Sequence, residues 1–539
     1  MKNVRNIIFW SVLTILALIP RMYFLGRDFY SIDSNRWFRR AVNFQHAFLN
    51  GDFAGTYQKQ HPGVTTMWLG GTAYRALTVI YPKLTGHILD ENIPNDFVTI
   101  NFVVKLSQVL ATLTLVFIAY RLIKKCFDRK VALLYLLVVL VDPFFLFYTR
   151  QFHVDVLFSS FSLIGVLYTY LFINSKSEIL NSKFRYLLLS AVFFGLAFLS
   201  KSPAIVIAFG CGLAILIKGM FVDKKVGQTL KSCVIFSLIL LATYLIVFPA
   251  NWVNPVEVTR QIIHDSLENT DKISSVYIIN HADSNFGDKF YLLVFLFRFS
   301  PFLVAGILFL TVRFLSSFVI RTIQKGTIPN PPTGGSGSSL IKFLPFSGYL
   351  ILLALLFEDN KLYERYLLPF VLPLTLLVAY KIAPRIKTSL IKPATIFSLV
   401  VFSFYQIFVI APNFIVYPTL FATRNIQMKL FIELGGCESM LYNVASDINN
   451  IEGNDDDTYS IGIGGTYKGC LKPYTIGVVD DMAEYVRRKT PLNEYPKYLV
   501  LFKTDNRWLE SPYIMSAYNL INTYYISTTP VYYLYQKKI

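Results

Sequence analysis

A few polar side chains stand out in a chain that is 54% hydrophobic and only 16% charged: Asp33, His61, Asp142, Arg150, His153, Asp155, Lys201, Asn251, Trp252 and Arg365. An ionised group at mid-bilayer costs about 2.5–3.5 kcal/mol on insertion scales, so such groups are informative when they gather on one side. Carboxylates such as Asp33 and Asp155 can take a proton. Cations such as Lys201, Arg365 and either Arg36 or Arg39 can hold a phosphate. That combination suits one reaction in particular. An acceptor hydroxyl attacks a sugar carbon while a lipid-linked phosphate leaves, and fixed positive charge stabilises the charge developing on that phosphate. No ATP or nucleotide motif is visible, which suits a donor carried in the membrane.

The elements that must position these groups are helices spanning a bilayer. A soluble chain of this size would be about 25% charged, whereas mean hydropathy here is +0.48. A hydrocarbon core about 30 Å thick needs roughly 20 apolar residues per crossing. Runs near that length fall at about 7–25, 102–122, 131–148, 154–173, 186–200, 203–217, 232–249, 290–312, 343–357, 366–380 and 393–411. The first follows Lys2 and Arg5 and ends at Pro20-Arg21-Met22 without a small-x-small cleavage site, so it reads as an uncleaved helix. The spacing therefore predicts a mainly α fold, a polytopic transmembrane bundle of about 11 helices over 1–411. A small C-terminal extracytoplasmic α/β domain follows over 412–539.

Charge sets the expected orientation. With the N-terminus in the cytoplasm, each inner loop is basic: Arg121 to Lys130, Lys176 to Arg185, Lys218 to Lys231, Arg313 to Lys342 and Lys381 to Lys392. Only Asp128, Glu178 and Asp223 oppose them, as the positive-inside bias requires. The first outer loop, 26–101, carries two polar helical stretches, 34–50 and 64–81, suited to the interface. The second runs over 250–289, and residues 326–339 form a flexible cytoplasmic linker by composition. The net charge of +18 does not imply nucleic acid, because the chain from Arg424 onward holds 12 Lys/Arg against 13 Asp/Glu. The excess lies in short membrane loops, not in a basic groove. Cys437 and Cys470 both fall in the outer domain, where a disulfide and two buried thiols are equally weighted readings. CxxC spacing is absent, which disfavours a structural zinc site.

Each candidate also has a structural reading. Lys201 or Arg365 alone could snorkel to the interface, Asp155 could cap a helix, and His61 before Pro62 and Gly63 could be a turn residue. Trp37, Trp68 and Trp252 suit interfacial anchoring, and Asp455 to Asp457 suit a solvated loop better than a calcium site.

Six motifs together resemble the membrane glycosyltransferases of the GT-C class, specifically bacterial relatives of protein O-mannosyltransferases and of the lipid A aminoarabinose transferase. They are YSIDSNRW (30–37), TYQKQHPGVTTMWLGG (56–71), VDPFFLFYTRQFHVD (141–155), GLAFLSKSPAI (195–205), PANWVNP (249–255) and YERYLLPFVLPL (363–374). The resemblance implies an inverting enzyme that takes its sugar from a polyprenyl phosphate and needs no cofactor. It places Asp33 and Asp155 at the acidic catalytic positions and Lys201 and Arg365 at the donor phosphate. His61, Arg36, Arg150, His153 and Trp252 complete the expected pocket. Many relatives have Asp-Glu where this chain has Asp33-Ser34, which leaves open whether a divalent metal or a second carboxylate contributes; no metal ligand is assigned. The oligosaccharyltransferase signature WWDYG is absent.

The expectation is thus a multi-pass enzyme of the plasma membrane, acting outside the cytoplasm on a protein, glycolipid or polymer acceptor. Membrane lipids are its surroundings and nucleic acid is not a partner. A lipid-linked sugar flippase or transporter and a non-catalytic membrane scaffold are the rivals. A transporter would place its charges near the midplane.

Overall fold

A computed structural model describes residues 2–271, 290–325, 343–385, 405 and 440–538, apart from the short stretches 29–30, 60, 176–179, 359–362, 454–458, 465–467, 504–505 and 527–528. Ten of the eleven apolar runs fall on helices; the run 393–411 lies outside the described residues, as do Cys437 and the linker 326–339. Among the described residues six helices are long and apolar enough to cross a membrane, or up to eight if two bent pairs each count as one span.

The chain opens with α1 (Lys2–Met22), α2 (Ile32–Leu49), α3 (Val64–Thr85) and α4 (Pro94–Cys126). Helices α2 and α3 are the two expected within the first outer loop. Ser31 caps α2 by accepting from the Ser34 N–H at 3.0 Å. Gly63 precedes α3 at φ +58°, and a Cβ there would lie 2.0 Å from the Trp37 ring. The turn after His61-Pro62 therefore needs glycine both for its left-handed backbone and for the close approach of α2.

The membrane core continues with α5 (Arg129–Val141), α6 (Pro143–Arg150), α7 (Val154–Asn174), α8 (Leu180–Ser200), α9 (Ala204–Ile217) and α10 (Val226–Val247). Next come α11 (Ala250–Val253), α12 (Pro255–Asp271), α13 (Phe290–Arg298), α14 (Pro301–Lys325), α15 (Ser347–Glu358) and α16 (Leu368–Ile382). Two of the expected spans are not straight. The pair α5–α6 bends by 64° and the pair α13–α14 by 119°. Asp142 explains why both breaks persist without orphaned backbone. One carboxylate oxygen accepts from the Phe145 N–H at 2.8 Å, and the other from the Ser300 N–H at 2.9 Å. In hydrocarbon an unpaired N–H is costly, and one fully buried carboxylate answers a break in each span. Asp142, expected at an outward cavity, is a double helix cap instead.

Consecutive spans run in opposite directions, so like ends meet. At one end Phe127 packs on Tyr170, Phe343 and Tyr380, while Lys125 lies over Tyr186 and Lys183 over Phe172. This is the end that carries the basic loops. The opposite end gathers the starts of α2, α7 and α16 with the end of α8.

The described part of the tail is a small α/β unit. Helix α17 (Met440–Glu452) buries Leu441, Val444, Ala445 and Ile448 at helical spacing. It accompanies β1 (Ser460–Gly464), β2 (Val478–Asp481), β3 (Tyr498–Phe502), β4 (Tyr518–Ile526) and β5 (Thr529–Lys537), in the order β2-β1-β3-β5-β4. Strands β1, β2 and β3 are parallel; β5 runs antiparallel to β3 and β4. Strands β4 and β5 form a hairpin, paired from Tyr518↔Lys537 to Ile526↔Thr529. Cys470 is buried and disulfide-bonded. This unit rests on the segment between α1 and α4 and on α4 itself: the Tyr474 hydroxyl donates to the Asp28 carbonyl at 3.2 Å and its ring meets Phe97 edge-on.

Candidate active site

Four helix ends converge on one cluster of charges. Asp33 lies in the first turn of α2 and Asp155 in the first turn of α7, with His153 just before it. Lys201 follows the last residue of α8, and Arg365 sits in the turn 364–367 that opens α16. Lys201 Nζ is 2.6 Å from Asp155 Oδ1, and His153 Nδ1 is 2.7 Å from Asp155 Oδ2. Arg365 pairs with Asp33 through one nitrogen and reaches Asp155 Oδ2 at 3.9 Å through Nε. His153 Nε2 stands 3.9 Å from Asp33, and Arg36 lies 3.8 Å away on its solvent side. Two carboxylates thus alternate with Lys201, Arg365 and an imidazole.

Exposure separates the roles. The Asp155 side chain is 1% exposed while that of Asp33 is 31% exposed. Asp33 is therefore the carboxylate an incoming molecule can reach. Burial works to raise its pKa, but the charge of Arg365, then of His153, with the Arg365 hydrogen bond and Arg36, holds it down at about 2. His61 approaches Ser202 Oγ at 3.5 Å, and burial, then the charge of Lys201, pushes it down to about 3. It is a neutral imidazole at ordinary pH.

Two expected pocket residues belong elsewhere. Arg150 points away from the cluster to Asp28, donating from Nη2 at 2.9 Å and from Nε at 3.1 Å, and also donates to the Tyr23 carbonyl. Trp252 is half exposed, packs on Phe53 at 5.0 Å and donates to the Leu245 and Ile246 carbonyls. Trp252→Ala should change sugar transfer by less than about threefold, within the range of a surface substitution. A larger loss would return it to the pocket.

Sequence reasoning missed the residues that aim Arg365. Glu364 accepts from Arg298 Nε at 2.9 Å and from the Tyr148 hydroxyl at 2.9 Å. This buried triad joins α6 and α13 to the turn before α16, so its neighbour Arg365 faces the carboxylates. Tyr363 lies under Arg365 and Tyr366 under Lys201, at 4.6 and 4.8 Å to the ring centroids. The signal was present in the YERY stretch, which brackets Arg365 with two aromatics.

Residues 97–252 match the family model described as dolichyl-phosphate-mannose-protein mannosyltransferase. The matched segment supplies His153, Asp155 and Lys201. Among solved structures, ArnT from Cupriavidus metallidurans bound to undecaprenyl phosphate is similar at 14% identity and a TM-score of 0.48, over 98% of each chain. Its apo form gives 12% identity and a TM-score of 0.49, over 99% of this chain and 98% of that one. The apo oligosaccharyltransferase of Archaeoglobus fulgidus gives 12% identity and a TM-score of 0.40, over 92% of this chain and 69% of that one. No curated protein sequence matches the chain. At such identities and scores these likenesses carry no function to this chain, and the chemistry rests on the charge cluster itself.

Proposed function

We propose that this chain is an inverting glycosyltransferase of the plasma membrane. It would move a sugar, mannose or a relative, from a polyprenyl phosphate to an acceptor hydroxyl on the non-cytoplasmic side, with no cofactor. The observation that carries the reading is the convergence of Asp33, Asp155, Lys201 and Arg365 at one end of the bundle, opposite the basic loops. Their formal charges cancel. A lipid-borne phosphate therefore enters a site whose cations are already placed, Lys201 by the buried Asp155 and Arg365 by the part-exposed Asp33, which it can displace.

In this scheme the acceptor oxygen bonds to the sugar C1 from the face opposite the phosphate, and the C1–O(phosphate) bond breaks with its electron pair. Lys201 and Arg365 stabilise the negative charge gathering on the leaving phosphate. When the phosphate engages Arg365, Asp33 loses the partner that keeps it a weak base. Its affinity for the acceptor's hydroxyl proton then rises at the moment the donor is bound. Asp155 remains fixed under Lys201 and orients it.

The test is a panel of labelled polyprenyl-phosphate sugars incubated with the purified protein. Release or transfer of label from one of them supports the reading, and inertness toward all of them rejects it. Lys201→Ala and Arg365→Ala should each raise the donor concentration needed for half-maximal rate by about 10- to 100-fold, the worth of one charged hydrogen bond. If both match wild type, the phosphate is held elsewhere. Asp33 in the free protein should contribute no acid limb near neutrality. Its pKa lies below the ordinary value of 3.8, so the stability it contributes is present above that value. That contribution is lost only as pH falls toward about 2, which a pH series of thermal unfolding would show.

A further inference from the structure

The three residues between α6 and α7 are held by one side chain from α4. Gln108 is fully buried. Its Nε2 donates to the Gln151 carbonyl, and its Oε1 accepts from the His153 backbone N–H at 3.2 Å. Gln151 in turn accepts through Oε1 from the Ser34 hydroxyl at 3.2 Å, one residue from Asp33. Phe152 is pinned from the other side: a Cβ on Gly70 of α3 would come within 2.2 Å of its ring. The segment that ends in His153 therefore has its backbone fixed by α4, its middle fixed by α3 and its first side chain tied to α2.

We infer that Gln108 is a positioning residue for the reaction, holding residues 151–153 so that the His153 imidazole stands between Asp155 and Asp33. Both ends of its amide act on the same three-residue segment. The two backbone groups they fix lie on either side of Phe152, so the amide sets where the next side chain leaves the chain. Moving His153 by even about 1 Å alters its separation from both carboxylates, and displacements of that size can cost about a hundredfold in rate. Gln108 is fully buried, and its amide is spent on the backbone of residues 151 and 153. It acts through His153 on one carboxylate and through Gln151 and Ser34 on the other.

The inference rests on the glycosyltransferase reading for its kinetic test but not for its geometric one. Gln108→Met keeps the volume and removes the amide. Asn101→Leu is the matched control, because Asn101 is buried on the same helix and donates to the Gly26 carbonyl at 2.7 Å, away from residues 151–153. The geometric measurement is the rate at which diethyl pyrocarbonate modifies His153 in the full-length purified protein, resolved by peptide mass spectrometry. Gln108→Met should speed it severalfold, while Asn101→Leu leaves it at the wild-type rate. In the kinetic measurement, Gln108→Met should lower kcat by about 10- to 100-fold with the donor KM within about threefold. Unchanged His153 reactivity in Gln108→Met overturns the inference whatever the activity shows, and so does equal behaviour of the two variants. A wild-type protein that uses no donor rejects the glycosyltransferase reading instead, and leaves the His153 measurement to decide the role of Gln108.

Discussion

Asp33→Asn should lower sugar transfer by about 10²- to 10⁴-fold, the range for losing a group that handles a proton in the transition state, while the protein still folds and accumulates. Asn keeps an oxygen that can accept from Arg365 but has no charge with which to draw a proton from the acceptor. The stability cost is small because the pair is partly exposed, and such pairs contribute about 0–1 kcal/mol. Asp155→Asn should behave differently. Asp155 is buried beneath Lys201 and His153, so both activity and thermal stability should fall. Transfer assays on the two variants, with melting curves in detergent, check the contrast. Full transfer by Asp33→Asn would remove the proposed base, and a membrane scaffold predicts that result.

The charges that meet in the site were legible because each is conspicuous where it stands. His153, Asp155, Lys201 and Arg365 sit at the ends of apolar runs, Asp33 and His61 lie in the long segment joining the first two runs, and alternating the direction of those runs puts all six on one side. What the sequence could not show was who pairs with whom. Arg150 lies in the same motif as His153 and Asp155, yet its partner is 122 residues away, just after α1. Nothing in the local pattern separates a cation that serves a pocket from one that serves a buried carboxylate. The broken spans have the same explanation. Asp142-Pro143 and Ser300-Pro301 are ordinary helix-start signals, and their meaning appears only when one carboxylate caps both. In the tail, β2 gives no strand signal of its own because Val478–Asp481 is short and half acidic. The sheet holds it by backbone pairing rather than by an apolar run.

Breaking the buried charge cluster beneath the site should cost more than any substitution within it. Asp28 is 3% exposed and lies 2.7 Å from Lys105 and 2.9 Å from Arg150, which are 0% and 1% exposed. Three sequence segments meet there, and the C-terminal domain adds a fourth through Tyr474. Asp28→Asn leaves two cations facing each other out of water. Removing one partner of such a group costs about 3–5 kcal/mol, a large share of the roughly 5–15 kcal/mol that holds a typical domain together. The variant should therefore be lost to aggregation or melt far below wild type before its activity can be judged. A second change shows whether charge is the cause. Adding Lys105→Met to Asp28→Asn restores the formal charge of the cluster to its original +1, with Arg150 still donating to the Tyr23 carbonyl. The double variant should recover a substantial part of the lost melting temperature despite having fewer hydrogen bonds. If it is no more stable than Asp28→Asn, the cluster acts through shape and hydrogen bonding, and unbalanced charge is not what its members oppose.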